Sequence, residues 1–164
     1  MKKLRVVATH ELALLVATGL VSSLARSDAN VTGSTARAQG PSEFDRAFEA
    51  MAESHADSVV VTEDGEFAPN FPTIGALALK NRLPSIGAKE YGDAGGLIGY
   101  GANILALYRR AAYFVDRILK GAKPADLPVE QPTKFELVVN LRTAKALGQK
   151  IPETFLVRAD EVID

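Results

Sequence analysis

The chain has 164 residues, which is enough to bury one hydrophobic core, and one domain is the expected count. Its formal net charge of -1 predicts neither a basic surface for nucleic acid nor an acidic tail. With no cysteine, the sequence excludes a disulfide framework, a thiolate nucleophile and a cysteine-based metal site.

The N-terminal part of the chain is open to two interpretations. A basic start at Met1–Arg5 and an apolar run from Leu12 to Val21 are typical of a signal peptide, and Ala36-Arg37-Ala38 fits its cleavage pattern. The favoured alternative is a strand at Leu4–Ala8 and a helix from Leu12 to Ala25, followed by a linker of small residues. The apolar run is too short to cross a bilayer as a helix of the mature protein.

From Pro41 onward, helical and strand patterns alternate. Ser42 is the predicted N-cap of a helix whose apolar residues follow helical spacing. The β-branched run Ser58–Thr62 predicts a strand that is covered on both faces. The next helix is expected at about Phe71–Asn81 and ends before Pro84, which disfavours the helical conformation of its predecessor.

A glycine-rich segment, Gly95–Gly101, contains a predicted strand at Leu97–Tyr100, which follows a short strand at Pro84–Gly87. Asn103 then caps a helix that continues through Lys120. This helix has the clearest amphipathic pattern of the chain, with its apolar stripe at Ile104, Leu107, Tyr108, Ala111, Val115, Ile118 and Leu119.

The remaining residues repeat the alternation of strand and helix. Phe135–Asn140 reads as a strand, and Asn140 caps a helix that ends at Gly148. A last short helix is expected from Glu153 to Arg158. Strands that alternate with helices predict an α/β fold with a parallel, doubly wound sheet flanked by helices.

Candidate ligand contacts follow from the rule that parallel sheets bind ligands at the C-terminal ends of their strands. The residues predicted there are Asp64 after the strand at Val59–Val61, Tyr91 in the loop before Gly95, and Tyr100 with Gly101 at the end of the glycine-rich strand. A carboxylate can pair with an ammonium group, and a tyrosine offers a flat apolar face with one hydroxyl. The alternatives are a solvated turn for Asp64, a core aromatic for Tyr100, and close packing of strand on helix for Gly99 and Gly101.

The sequence predicts no enzyme, no cofactor and no metal site. Its glycines do not fit the dinucleotide fingerprint, and it contains no Gly-Lys-Ser/Thr phosphate loop. The two histidines, His10 and His55, are far apart in the chain. The acidic residues Glu63, Asp64 and Glu66 could hold a cation, but a solvated loop is the favoured interpretation.

Several long motifs resemble the ABC transporter substrate-binding protein family, in its type I periplasmic-binding-protein-like form. They are Gly95–Asn103, Leu107–Ala112, Ile118–Leu137, Asn140–Gly148 and Ile151-Pro152, together with a block at Val16–Arg26 and Asn30–Gly33. The resemblance implies that residues 41–164 form the C-terminal lobe, and that residues 1–40 hold a crossover-like strand and helix. Most of the N-terminal lobe, and a strand-helix-strand unit near Ser34–Gln39, are expected to be missing.

The resemblance also implies a function. Members of this family close two lobes over a small organic solute, such as an amino acid, and deliver it to an ABC permease. It implies a periplasmic protein that neither spans the membrane itself nor binds nucleic acid. The expected alternatives are a truncated remnant that folds without binding a solute and a small Rossmann-like enzyme.

Overall fold

The computed structural model describes residue 38, residues 40–62 and residues 65–164. The elements expected in residues 1–37 and the predicted ligand contact Asp64 lie outside these described residues. One five-stranded sheet has the order β1-β2-β3-β4-β5, with strands β1 (Val59–Val60), β2 (Ser85–Gly87), β3 (Ile98–Ala102), β4 (Phe135–Asn140) and β5 (Glu161–Ile163). The described helices are α1 (Phe44–Glu53), α2 (Phe71–Lys80), α3 (Lys89–Asp93), α4 (Ile104–Leu119), α5 (Leu141–Leu147) and α6 (Glu153–Leu156).

The sheet lies between two layers of helices, as the β-branched run predicted. Val60 belongs to a core cluster that includes Phe155 of α6. Its neighbours Val59 and Val61 belong to a second cluster, which includes Phe71 of α2. Successive strand residues point to opposite faces, so the alternation places one cluster on each side of the sheet. The α/β fold with helices on both faces is confirmed.

One strand pairing differs from the expected parallel sheet. The pairs β1–β2, β2–β3 and β4–β5 are parallel, whereas β3 and β4 are antiparallel, with Ala102 opposite Phe135. The chain leaves β3 and enters β4 at the same edge of the sheet, where the backbone N–H of Asn103 donates to the carbonyl of Lys134 at 3.0 Å. Because the connection begins and ends at one edge, the two strands run in opposite directions.

Two asparagines begin helices as the sequence predicts. The side-chain oxygens of Asn103 and Asn140 accept hydrogen bonds from the backbone N–H three residues on, at 2.7 and 3.0 Å. Gly148 follows α5 in the left-handed conformation, with φ of 69°. The predicted cap at Ser42 is wrong, because a 3-10 turn at Pro41–Glu43 precedes α1, which has no side-chain cap.

The short helix α3 packs on β3 through glycines. A Cβ placed on Gly99 would lie 2.3 Å from the carbonyl oxygen of Lys89 and 2.9 Å from the backbone nitrogen of Gly92. A Cβ on Gly101 would lie 3.2 Å from the backbone nitrogen of Lys89. Close packing of strand on helix, the alternative interpretation of these glycines, is therefore what the structure shows. The contact fixes the start of α3 at the end of β3.

Residues 103–134, here called the α4 arm, leave the sheet after β3 and return to it at β4. None of the 16 residues of α4 is buried, although its sequence has the clearest amphipathic pattern of the chain. Tyr108 is 71% exposed and Leu119 is 82% exposed. The periodicity therefore predicted the helix correctly, but its apolar face is not buried against the described residues. Among the described helices, none is long and apolar enough to cross a membrane.

Candidate functional site

The candidate site lies where β2 and β3 end and β4 begins. We call this place the β3–β4 edge, and its residues are Lys89, Tyr100, Gly101, Phe135 and Glu136. The rings of Tyr100 and Phe135 stack there, with centroids 5.7 Å apart and planes 17° apart. Tyr100 is half-buried and Phe135 is 46% exposed. The pair therefore presents flat aromatic surface to solvent at a strand end, which suits an organic solute.

Lys89 brings a positive charge to the same edge. Its Nζ donates to Asp93 Oδ2 at 3.0 Å and lies 3.6 Å from Glu161 Oε2. The hydrogen bond to Asp93 raises the pKa of Lys89, and the negative charges of Glu161 and Glu136 add to the increase. The lysine is therefore protonated at neutral pH, and its side chain is 24% exposed.

Glu136 brings a negative charge next to the aromatic pair. Its Oε1 accepts from Asn103 Nδ2 at 2.6 Å and lies 3.2 Å from Lys134 Nζ. The hydrogen bond from Asn103 lowers the pKa of Glu136, and Lys134 and Lys89 lower it further. Glu136 and Phe135 are successive strand residues, so they point to opposite faces of the sheet. The edge thus has an aromatic surface on one face and ionised groups of both signs on the other.

An open groove of about 500 Å³ lies beside this edge, between the first turns of α4 and the segment 130–134. Arg110 crosses it, with Nε donating to Glu130 Oε2 at 2.6 Å and Nη2 donating to Glu130 Oε1. The Arg110 guanidinium also lies 4.1 Å from the ring centroid of Tyr113. This exposed ion pair lowers the pKa of Glu130 and connects α4 to the segment that returns to β4.

Tyr91 does not lie in a loop, as the sequence analysis predicted, but in α3. It is 0% exposed and packs edge-to-face against Phe71, with ring centroids 5.4 Å apart. Burial raises the pKa of Tyr91 to about 12, opposed in part by the neighbouring Ser85 hydroxyl, yet no ordinary hydrogen bond to the Tyr91 hydroxyl is present among the described residues. A side chain with no exposed surface contacts no solute at the edge in this structure.

Of the four residues predicted from the sequence, the structure brings Tyr100 and Gly101 to one place. Three further residues at the edge, Lys89, Phe135 and Glu136, were not predicted as ligand contacts. In an all-parallel sheet, the start of β4 would lie at the opposite edge, far from Tyr100. The expected parallel orientation therefore did not place Phe135 and Glu136 near the other candidate contacts. No group of three or more His, Asp or Glu side chains within the described residues could hold a metal ion.

The relation to known proteins agrees with this geometry. A family model described as ABC transporter substrate binding protein matches residues 23–163. The chain belongs to this family. The resemblance of the sequence motifs is thereby confirmed. No curated protein sequence matches the chain significantly.

Solved structures show the same fold over nearly the whole chain. A conserved domain protein from Vibrio cholerae O1 biovar eltor is 25% identical, with a TM-score of 0.77 over 98% of this chain and 54% of its own. An ABC domain from Streptococcus pneumonia in complex with L-Trp is 29% identical, with a TM-score of 0.73 over 82% of this chain and 46% of its own. A ligand-free, open substrate-binding protein with adhesive properties from Clostridium difficile is 20% identical and shares the fold, with a TM-score of 0.60 over 98% of this chain and 52% of its own. This member of the substrate-binding family therefore spans about half the length of these relatives.

Proposed function

We propose that this chain is the substrate-binding component of an ABC importer, which captures a small organic solute such as an amino acid in the periplasm and presents it to a membrane permease. The observation that carries the proposal is the β3–β4 edge, where a stacked aromatic pair lies on one face of the sheet and ionised groups of both signs lie on the other. Membership of the substrate-binding family supports the class of function. The bound L-Trp of the Streptococcus relative supports the class of solute.

The edge suits a zwitterion that carries an apolar group. The ammonium of Lys89 can pair with a solute carboxylate, and the carboxylate of Glu136 can pair with a solute ammonium. The rings of Tyr100 and Phe135 can stack on an aromatic or aliphatic side chain. The aromatic pair and the charged groups lie on opposite faces of the sheet, so an amino acid that contacts both must lie across the strand ends.

Capture of this kind breaks no bond in the solute. The solute binds at the open edge, and closure of a second lobe over it buries the contacts, as the length of the relatives suggests. A ligand that binds the closed state better shifts the population toward closure, and the permease then recognises the closed form. The electrostatic contacts strengthen as water leaves, because charges interact more strongly at lower dielectric constant.

The proposal is tested by thermal unfolding of the full chain with single amino acids, L-Trp first, followed by calorimetric titration. A ligand at 100 times its dissociation constant stabilises a folded protein by about 2.7 kcal/mol, which is a shift of several degrees in Tm. We expect Tyr100→Ala to abolish the shift and Lys89→Gln to reduce it. Tyr113→Ala changes a ring on the α4 arm instead and leaves the shift in place.

A second candidate function, a folded remnant that binds no solute, is favoured by two observations. The outermost strand β1 has only two residues and pairs with β2 alone among the described strands. The apolar face of α4 is not buried against the described residues. A cooperative melt that no amino acid or other small organic solute shifts would support the remnant and would overturn the proposed capture function.

A further inference from the structure

One asparagine connects the start of the α4 arm with the charged face of the β3–β4 edge. The backbone N–H of Asn103 donates to the carbonyl of Lys134 at 3.0 Å, which holds the residue at the base of the arm. Its side-chain Oδ1 accepts from the backbone N–H of Ala106 at 2.7 Å and caps α4. Its Nδ2 donates to Oε1 of Glu136 at 2.6 Å. A single side chain therefore contacts both a helix and an ionised group of the candidate site.

The helix cap determines which end of the Asn103 amide faces Glu136. A primary amide has one end that accepts hydrogen bonds and one end that donates them. Because Oδ1 of Asn103 accepts from Ala106, the amide presents its donor end to the carboxylate. Donation to a carboxylate favours its ionised form and is stronger than a hydrogen bond between neutral groups. Asn103 therefore holds Glu136 ionised and in one orientation.

The two carboxylate oxygens of Glu136 have different surroundings. Asn103 Nδ2 and Lys134 Nζ both contact Oε1, at 2.6 and 3.2 Å. The Lys134 side chain is 64% exposed, so solvent screens this ion pair and the bond from Asn103 is the stronger contact. Within the part of the chain that the structure describes, no hydrogen bond or ion pair involves Oε2. The Glu136 side chain is 18% exposed, which leaves it within reach of a solute.

We propose that Oε2 of Glu136 accepts the solute ammonium, and that Asn103 is the positioning residue that keeps this carboxylate ionised and oriented. The assignment rests on the proposed capture function, to which it adds the atom that binds the ammonium and the residue that acts through it. An ammonium donates up to three hydrogen bonds. A carboxylate that is already held at one oxygen loses little further side-chain entropy when the other oxygen binds. A solute without an ammonium gains nothing from this arrangement.

Asn103→Ser and Asn103→Asp separate the positioning role from the helix cap. Serine and aspartate are both good N-cap residues, so α4 should keep its first turn in either variant. Serine lacks the amide donor, and aspartate places a second carboxylate where the donor was. The bond from Asn103 is the main cause that lowers the pKa of Glu136 in the folded chain. We therefore expect the Glu136 carboxyl carbon, followed by NMR against pH, to titrate at higher pH in both variants and highest in Asn103→Asp.

The matched control for this titration is Asn140→Ser. Asn140 also caps a helix with its Oδ1, but its Nδ2 donates to the carbonyl of Gly92 and not to a carboxylate. This variant should leave the titration of Glu136 as it is in the wild type. Amide hydrogen exchange at Ala106 should stay as slow in both Asn103 variants as in the wild type, because the cap of α4 remains.

Two indole compounds test recognition of the ammonium on the full chain. Tryptamine is L-Trp without its carboxylate, and indole-3-propionate is L-Trp without its ammonium, so all three share one ring system. In calorimetric titrations we expect Asn103→Ser to weaken the binding of L-Trp and tryptamine about fivefold, and Glu136→Gln to weaken it about tenfold. The affinity for indole-3-propionate should not fall in either variant.

Failure of this assignment differs measurably from failure of the capture function. A Glu136 titration that is identical in the wild type and both Asn103 variants would overturn the positioning role. Equal losses of affinity for tryptamine and indole-3-propionate would show that Oε2 does not bind the ammonium, while capture of the solute would stand. A wild-type chain that binds no amino acid and neither indole compound would refute the capture function and the assignment together.

Discussion

The buried hydroxyl of Tyr91 gives the strongest test of the core, and the perturbation is Tyr91→Phe. This hydroxyl has no ordinary hydrogen bond among the described residues, and the side chain is 0% exposed. An unsatisfied buried hydroxyl costs about 1–3 kcal/mol. Its removal leaves a small void that offsets part of the gain. At pH 8 we therefore expect Tyr91→Phe to raise the free energy of unfolding by about 1 kcal/mol.

The pH dependence of this gain follows from the pKa of Tyr91, which burial raises from 10.0 to about 12. Between these values the unfolded chain releases the proton and the folded chain retains it, so the stability of the wild type falls as pH rises. The contribution is fully present below pH 10, and the loss is ~1.4 kcal/mol at pH 11. The Tyr91→Phe variant does not lose this stability, because phenylalanine has no hydroxyl that can release a proton. The advantage of the variant should thus increase from about 1 kcal/mol at pH 8 to about 2 kcal/mol at pH 11.

The assay is urea unfolding followed by circular dichroism at several pH values from 8 to 11, at one protein concentration. The control is Tyr108→Phe, at a side chain that is 71% exposed, and its effect should stay within ~0.5 kcal/mol at every pH. A difference between wild type and Tyr91→Phe that is constant with pH would refute the burial argument. A variant that is less stable than the wild type at pH 8 would show that the hydroxyl has a partner.

The remaining predictions concern the β3–β4 edge and its supports. Gly99→Ala should lower the free energy of unfolding by at least ~2 kcal/mol, because the new Cβ would lie 2.3 Å from the Lys89 carbonyl oxygen, whereas Gly65→Ala, with nothing within 4 Å, should change it by less than ~0.5 kcal/mol in the same urea titration. Asn140→Ala removes the cap of α5 and the bond from Asn140 Nδ2 to the Gly92 carbonyl, and should cost about 1–2 kcal/mol, measured in the same way. Glu136→Gln removes a group whose folded pKa is lowered, so its contribution is present above the ordinary glutamate pKa and is lost as pH falls. The difference from the wild type should therefore shrink toward acid pH, and an acid-unfolding profile that is parallel for both proteins would contradict this.

Local signals in the sequence predicted local structure well. Asn103 and Asn140 were identified as helix caps because a side-chain acceptor before an apolar-periodic segment satisfies free N–H groups of the first turn. The left-handed stop at Gly148 follows from the same kind of reasoning. These features depend on neighbours within a few residues, so the chain around each one determines it.

Features that depend on distant contacts were not predicted. The segment around Tyr91 contains Gly92, and glycine disfavours a helix. In the structure the same glycine allows the backbone of α3 to pack closely against β3, and the helix forms in that contact. The strand β5 was missed because its three residues are stabilised by pairing with β4 and carry little signal of their own. The orientation of β4 depends on where the α4 arm returns, and hydrophobic periodicity does not report this.

The packing of α3 on bare backbone restricts which substitutions the β3–β4 edge can accept. The main chain of Lys89 rests on Gly99 and Gly101, so a larger residue at Gly99 displaces the lysine together with its helix, whereas one at Gly101 requires only a small shift. Phe135 and Glu136, by contrast, begin a strand beside an open arm, and the contacts described for their side chains are to other side chains and not to bare backbone. In a laboratory selection for new solutes, adaptive substitutions should accumulate on the β4 side of the edge, while Gly99 stays invariant.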